Sequence, residues 1–147
     1  MRLILQRTTN TEVWIDNQCH SHTGSGLLIL FGTRQGDSEE SCRYLADKAV
    51  NLRVFEDSQG KMNLSALDVG AEIMVVSQFT LYADCRKGRR PGFSEAQEPA
   101  QAEKLYNRFI ELITATELKT QTGQFRKKMQ VKLTNQGPVT IILDHDA

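Results

Sequence analysis

The chain predicts a mixed α/β fold, a single domain over residues 1–147 in which curved β-sheets carry two main helices on one side. Short aliphatic and β-branched runs recur along the chain, and Leu27-Leu28-Ile29-Leu30-Phe31 is a continuous apolar run between glycines. Two stretches switch instead to helical spacing, one after Ser38 and one after Pro99. The 147 residues, 39% hydrophobic and 24% charged, are enough for one proper core and require no linker.

Leu3 to Arg7 and Val13 to Asp16 read as strands on either side of the polar stretch Thr8 to Thr11. The Leu27 to Phe31 run suits a central strand covered on both faces. From Ser38 the spacing of Cys42, Leu45, Ala46, Ala49 and Leu52 predicts an amphipathic helix, with Ser38 as N-cap and Glu39 and Glu40 in its first turn, where the helix dipole favours them. Val54-Phe55 and Lys61 to Leu64 flank the turn-rich Asp57-Ser58-Gln59-Gly60 and predict a short hairpin. Ile73 to Leu81 reads as one strong strand. A polar, mobile-looking loop, Asp84 to Glu98, follows it.

Pro99 is well placed to start a helix, and Ala102, Leu105, Tyr106, Phe109, Leu112 and Ile113 trace its apolar stripe. Gln130 to Thr134 and Val139 to Leu143 read as two closing strands joined by a tight turn at Asn135-Gln136-Gly137-Pro138. Roughly seven strands and two helices result, with a strand order that the pattern does not disclose.

Eighteen basic residues balance eighteen acidic ones, so the chain lacks the broad positive field of a protein that coats nucleic acid. Any RNA contact is therefore expected to be local. The N-terminus is apolar only briefly and reads as a strand, not as a signal peptide or membrane span. Cys19, Cys42 and Cys85 form no CxxC pair, which argues for a reducing compartment and places the protein in the cytoplasm.

Hydroxyls of the kind that serve as nucleophiles occur at Ser77 and Thr80, but neither sits in a Gly-x-Ser-x-Gly elbow. His20, His22 and His145 are the only histidines, and each falls near a terminus or a turn, where a solvated role is the ordinary one. Cys19-His20-Ser21-His22 lacks the paired spacing of a zinc site, and no metal or other cofactor is expected. Cys85 lies beside Arg86 and Lys87, a setting that can activate a thiol, but the sequence favours a plain loop cysteine.

Residues alone leave two readings open for each remaining motif. Ser77 to Leu81 is either part of a pocket or a strand end with Phe79 and Leu81 packed inward. Gly137-Pro138 is either a special turn or an ordinary trans-proline one. Arg86-Lys87-Gly88-Arg89-Arg90 and Arg126-Lys127-Lys128 are either solvated charge or grips for phosphate.

Taken together, Ser77-Gln78-Phe79-Thr80-Leu81 and Asn135-Gln136-Gly137-Pro138-Val139-Thr140 resemble the two signature motifs of the D-aminoacyl-tRNA deacylase family, once called D-tyrosyl-tRNA deacylases. Gln6-Arg7, Gly60 to Asn63, Arg90-Pro91, Phe93-Ser94 and Thr120 to Gly123 fall in matching order, so the resemblance runs nearly end to end. Thr11-Glu12 and Gly92 depart from the family's usual residues without touching either main motif.

The resemblance implies an editing hydrolase that cleaves the ester between a D-amino acid, or glycine, and the 3′ end of tRNA. It implies a homodimer with each site at the interface, the catalytic set being Ser77, Gln78, Phe79 and Thr80. Gly137-Pro138 would be a cis peptide reaching in from the other subunit to exclude L side chains, with Arg7 supporting that loop. Main-chain N–H groups near Gln78, Phe79 and Thr80 would stabilise the oxyanion. On the phosphate-grip reading of the first basic cluster, Arg86, Lys87, Arg89 and Arg90 would touch tRNA. Rival readings are a non-catalytic RNA-binding module, a simple esterase using Thr80 or Ser77, and a structural domain.

Overall fold

A computed structural model describes residues 1–145. In chain order it contains β1 (Arg2–Ile15), β2 (Gln18–Thr23), β3 (Gly26–Gly32), α1 (Glu39–Asn51), β4 (Phe55–Glu56), β5 (Met62–Leu64), the single turn α2 (Ala66–Val69), β6 (Glu72–Ser77), a 3-10 turn (Phe79–Tyr82), α3 (Pro99–Thr114), β7 (Thr120–Thr122) and β8 (Gln130–Asp144). Six strands make one mixed sheet. β8 lies outside β1, and β3, β6 and β7 follow on β1's other side, with β2 replacing β3 along the second half of β1. The β3–β6 and β6–β7 pairs are parallel.

Strand alternation sorts the sheet into two faces. Leu3, Leu5, Leu27, Ile29, Phe31, Ile73 and Val75 face α1 and α3, where Leu45, Ala49, Leu105, Phe109 and Ile113 complete the main core. Leu28, Met74 and Val76 point the other way and join Val13 in a smaller cluster. The mixed, curved sheet with both long helices on one side is the fold that the sequence predicts.

Several elements differ from expectation. β1 does not break at Thr8 to Thr11; it runs unbroken for 14 residues. The alternation changes phase there, because Arg7 and Thr8 are buried in succession while Thr9 and Asn10 face solvent. Thr11 Oγ1 donates to Thr8 Oγ1 at 3.3 Å, so these polar residues satisfy one another inside a strand. Cys19 to His22 lie in β2, directly after the turn at Asp16-Asn17. The predicted Ile73–Leu81 strand stops at Ser77. The predicted C-terminal hairpin is instead the single strand β8, which pairs with β1 on both sides of Gly137-Pro138.

Ser38 takes the extended N-cap backbone of α1, but its hydroxyl makes no capping bond. The chain start is anchored next to it. The Met1 ammonium donates to Asp37 Oδ1, with both side chains fully buried, and to the His145 carbonyl. Burial, then the nearby Asp37 and Glu39 charges, push the Cys42 thiol up to about 12, so this core cysteine stays protonated and unreactive at neutral pH.

Candidate active site

The three parallel strands open onto one cleft. β3 leads into Thr33, β6 into Gln78 and Phe79, and the segment after β7 supplies Phe125, Arg126 and Lys127. With Val76, Ser77, Gln97, Met129 and Val131 among the other lining residues, they enclose about 510 Å³. A cleft at the carboxyl ends of parallel strands is where such sheets place ligands, because the chain leaves the ladder there and exposes main-chain groups.

The way the chain leaves β6 shapes the cleft at Ser77, Gln78 and Phe79, while Thr80, next along the turn, is exposed and is not among the lining residues. Gln78 makes one last sheet bond, its N–H donating to the Phe31 carbonyl at 2.7 Å. The backbone then tightens into the 3-10 turn, in which Leu81 N–H donates to Gln78 O and Ala83 N–H to Thr80 O. Donors early in such a turn have no partner inside it, and the Phe79 and Thr80 N–H groups find none elsewhere among the described residues. Of the main-chain N–H groups in the stretch that the sequence singles out, Gln78's is engaged in the sheet.

The side chains follow from the same turn. Phe79 is 59% exposed and sets its edge against Phe93, ring centroids 5.0 Å apart, so the inward-packed strand end is not what forms. Gln78 Nε2 donates to Thr80 Oγ1. Thr80 is exposed and has no imidazole partner: His145 contacts Ser41 Oγ at 3.2 Å and stacks on Tyr44, while His20 and His22 are exposed on β2. Neither Ser77 nor Thr80 has a histidine partner among the described residues.

Gly137-Pro138 sits in a bulge of β8. Gln6 aligns with Thr140 and Thr8 with Asn135, so residues 136–139 face Arg7 alone, and the ladder is interrupted over them. The Gly137-Pro138 peptide is cis, which decides between the two turn readings left open by the sequence. Asn135 closes the bulge from within: its Oδ1 accepts from Val139 N–H at 2.7 Å, and its Nδ2 donates to Val139 O and Thr140 Oγ1. Arg7, 5% exposed, holds the loop from below, with Nε donating to Gln136 O at 3.0 Å and Nη1 to Val54 O at 2.8 Å. Glu56 adds an ion pair at 3.4 Å. The Asn135 clamp was not anticipated, although an amide three residues before a proline was there to be read.

The two motifs do not meet within one chain. Ser77 aligns through Phe31 and Leu3 with Leu143, whereas the bulge lies opposite Arg7. Four residues along the strands and three strand spacings across the sheet separate them by on the order of 20 Å.

The arginine loop is tied down at Asp84–Gly92 by reciprocal main-chain bonds and at Gln97 N–H to Thr33 O. Arg86 is held by Asp84 at 2.8 Å and Glu95 at 3.5 Å, and its hydrogen bonds bring the Asp84 carboxyl down to about 2. Lys87, Arg89 and Arg90 are exposed and form no ion pair among the described residues. Also among the described residues, no three His, Cys, Asp or Glu side chains gather as a metal site, and no helix is long and apolar enough to cross a membrane.

Comparison with known proteins gives this frame a class, that of hydrolases acting on tRNA-linked amino acids. The family model described as D-Tyr-tRNA(Tyr) deacylase matches residues 4–144. D-aminoacyl-tRNA deacylases of Carboxydothermus hydrogenoformans and Halothermothrix orenii are 49% and 51% identical over 144 residues, covering 98% of this chain and 99% and 97% of theirs. A solved structure titled c-Myc DNA Unwinding Element Binding Protein is similar with TM-score 0.94 and 39% identity over the full length of both chains. Another, titled as a probable eukaryotic D-amino acid tRNA deacylase, shares the fold at TM-score 0.83 and 17% identity over 98% of each chain.

The chain belongs to the D-aminoacyl-tRNA deacylase family. Its chemistry at that level is hydrolysis of the ester joining a D-amino acid to tRNA. The relatives' names carry no restriction to tyrosine.

Proposed function

We propose that this chain is a chirality-editing hydrolase that works as a homodimer in the cytoplasm, the Gly137-Pro138 bulge of one copy entering the Ser77–Thr80 cleft of the other. The observation that carries this reading is the separation of the two motifs. Arg7 and Asn135 hold a main-chain bulge outward on an edge strand, on the order of 20 Å along the sheet from the cleft it would serve. A second copy brings the two together. The three cysteines are unpaired, in keeping with a reducing compartment.

In this arrangement the Gly137 and Pro138 carbonyls, free of ladder partners, receive the substrate's amino group. The bulge then blocks the position that an L side chain would occupy. A filter that works by collision passes glycine as well, so glycyl-tRNA is a substrate. Phe79 and Thr80 N–H receive the developing oxyanion. Water attacks the ester carbonyl with help from the neighbouring ribose hydroxyl, the acyl–oxygen bond breaks, and the ribose oxygen takes the proton. The products are free amino acid and tRNA.

Release of amino acid from one tRNA charged in turn with D-tyrosine, L-tyrosine and glycine tests the reading. Fast release of D-tyrosine and glycine with L-tyrosine spared is expected; equal release of both enantiomers would make the chain an unselective esterase. Thr80 shapes the pocket through its bond with Gln78. Thr80→Ala is therefore expected to keep turnover within about tenfold of the parent. Complete loss, with an unhydrolysable analogue still bound normally, would instead make Thr80 the nucleophile.

A further inference from the structure

We propose that Arg126 and Lys127 form a phosphate grip on the rim of the cleft and hold the backbone of the tRNA's 3′-terminal strand. This rests on the deacylase reading and adds a binding site to it.

The segment is fixed at its base and free at its tip. Gly123 N–H donates to Val75 O at 3.0 Å, and Gln124 N–H meets Met129 Sδ at 3.4 Å. Phe125 packs on Tyr106, ring centroids 5.8 Å apart. Lys127 N–H then closes a turn onto Gln124 O at 3.2 Å, with Phe125 and Arg126 as its middle residues. Both Arg126 and Lys127 line the cleft that holds Ser77, Gln78 and Phe79.

Arg126 has φ 61°, a backbone conformation suited to glycine or asparagine at the third position of a turn and costly for a residue with a larger side chain. No contact compensates among the described residues: there Arg126, Lys127 and Lys128 form no side-chain hydrogen bond or ion pair, and all three are exposed. A strained position that presents a cation to a cleft is a mark of function rather than of stability.

The ligand class follows from the substrate's geometry. If the aminoacyl ester lies at Ser77–Thr80, the nearest anions on the same molecule are the phosphodiesters leading to the terminal ribose. Guanidinium and ammonium groups are the usual partners for these, fixing register without reading sequence. In a chain of zero net charge such contact is local, which makes its salt dependence measurable.

The test uses the double variant Arg126→Gly, Lys127→Ala, in which glycine accepts the positive φ and the fold is retained. It is assayed on D-tyrosyl-tRNA across a salt series and on D-tyrosyl-adenosine, which has no phosphodiester. On tRNA, KM is expected to rise roughly tenfold with kcat within about twofold, and the salt slope of log kcat/KM to become shallower by about 1.4, or ~0.7 for each lost single-strand phosphate contact. On the adenosine ester, the change in KM is expected to stay below about twofold, because no phosphate contact is there to lose.

A parental KM and salt slope on tRNA would overturn the grip while leaving the deacylase reading intact. An equal loss on both substrates would overturn it too, because the residues would then shape the cleft. If the parent protein cleaves neither substrate, the deacylase reading itself fails and the grip fails with it.

Discussion

Phe79→Pro is expected to lower kcat by ~10²–10³ relative to Phe79→Ala, the range for removing one oxyanion donor. Both variants delete the exposed ring and its contact with Phe93, so the comparison isolates one main-chain hydrogen. The site tolerates proline well. Phe79 is the first residue of the 3-10 turn, where no intrahelical bond uses its N–H, and Gln78 before it already lies outside the helical region at φ −145° and ψ 81°. The loss should fall on kcat, with KM and melting temperature close to those of Phe79→Ala, since the donor matters only once charge develops on the carbonyl oxygen. Turnover by Phe79→Pro equal to that of Phe79→Ala would remove Phe79 N–H from the mechanism.

Gly137→Ala is expected to lower kcat/KM on D-tyrosyl-tRNA by about 100-fold and to erode the preference for the D enantiomer, because misplacing a positioning element by about an ångström costs on that order. Gly137 has φ 132°, which a residue with a Cβ rarely adopts. The added methyl would lie 2.9 Å from Val139 Cγ2 and 3.1 Å from Arg7 Nη2, so the bulge and the arginine beneath it cannot both keep their places. Strain of this kind costs about 1–3 kcal/mol. Because residues 136–138 are exposed, it can be relieved by moving the loop outward without unfolding the sheet. The melting temperature should therefore drop by only a few degrees while editing collapses. The D-to-L ratio of deacylation rates checks this, and an unchanged ratio would separate Gly137 from chirality selection.

These variants also mark the division between what was legible in the chain and what was not. The helix stripes from Cys42 to Leu52 and from Ala102 to Ile113, and the Leu27 to Phe31 strand, were readable because apolar spacing reports directly on which face is buried. Boundaries failed where hydrogen bonding overruled composition. Thr8 to Thr11 looks like an interruption but continues β1, since threonines suit a strand and their hydroxyls pair with one another. Phe79 and Leu81 look like a strand end, yet the backbone turns after Gln78 because its N–H has already taken the last sheet acceptor at Phe31.

The C-terminal motif shows the same limit. Asn135 to Pro138 has every mark of a hairpin turn, and local chemistry alone would make it one. What prevents reversal is β1, which is long enough at 14 residues to pair with β8 on both sides of the bulge, so the extra residues project from the edge instead of folding the chain back.

The sequence by itself determined the family, the mixed α/β class, the two helical faces and the two motifs that mark the family, because motif order and apolar periodicity are local properties. Only the tertiary structure decided that Gln78's N–H is spent while those of Phe79 and Thr80 have no partner among the described residues, that Asn135 joins the expected Arg7 in bracing the Gly137-Pro138 bulge, and that Arg126 and Lys127 reach the cleft. Each depends on strand register, and register is set by pairing between segments up to about 140 residues apart, which no local pattern encodes.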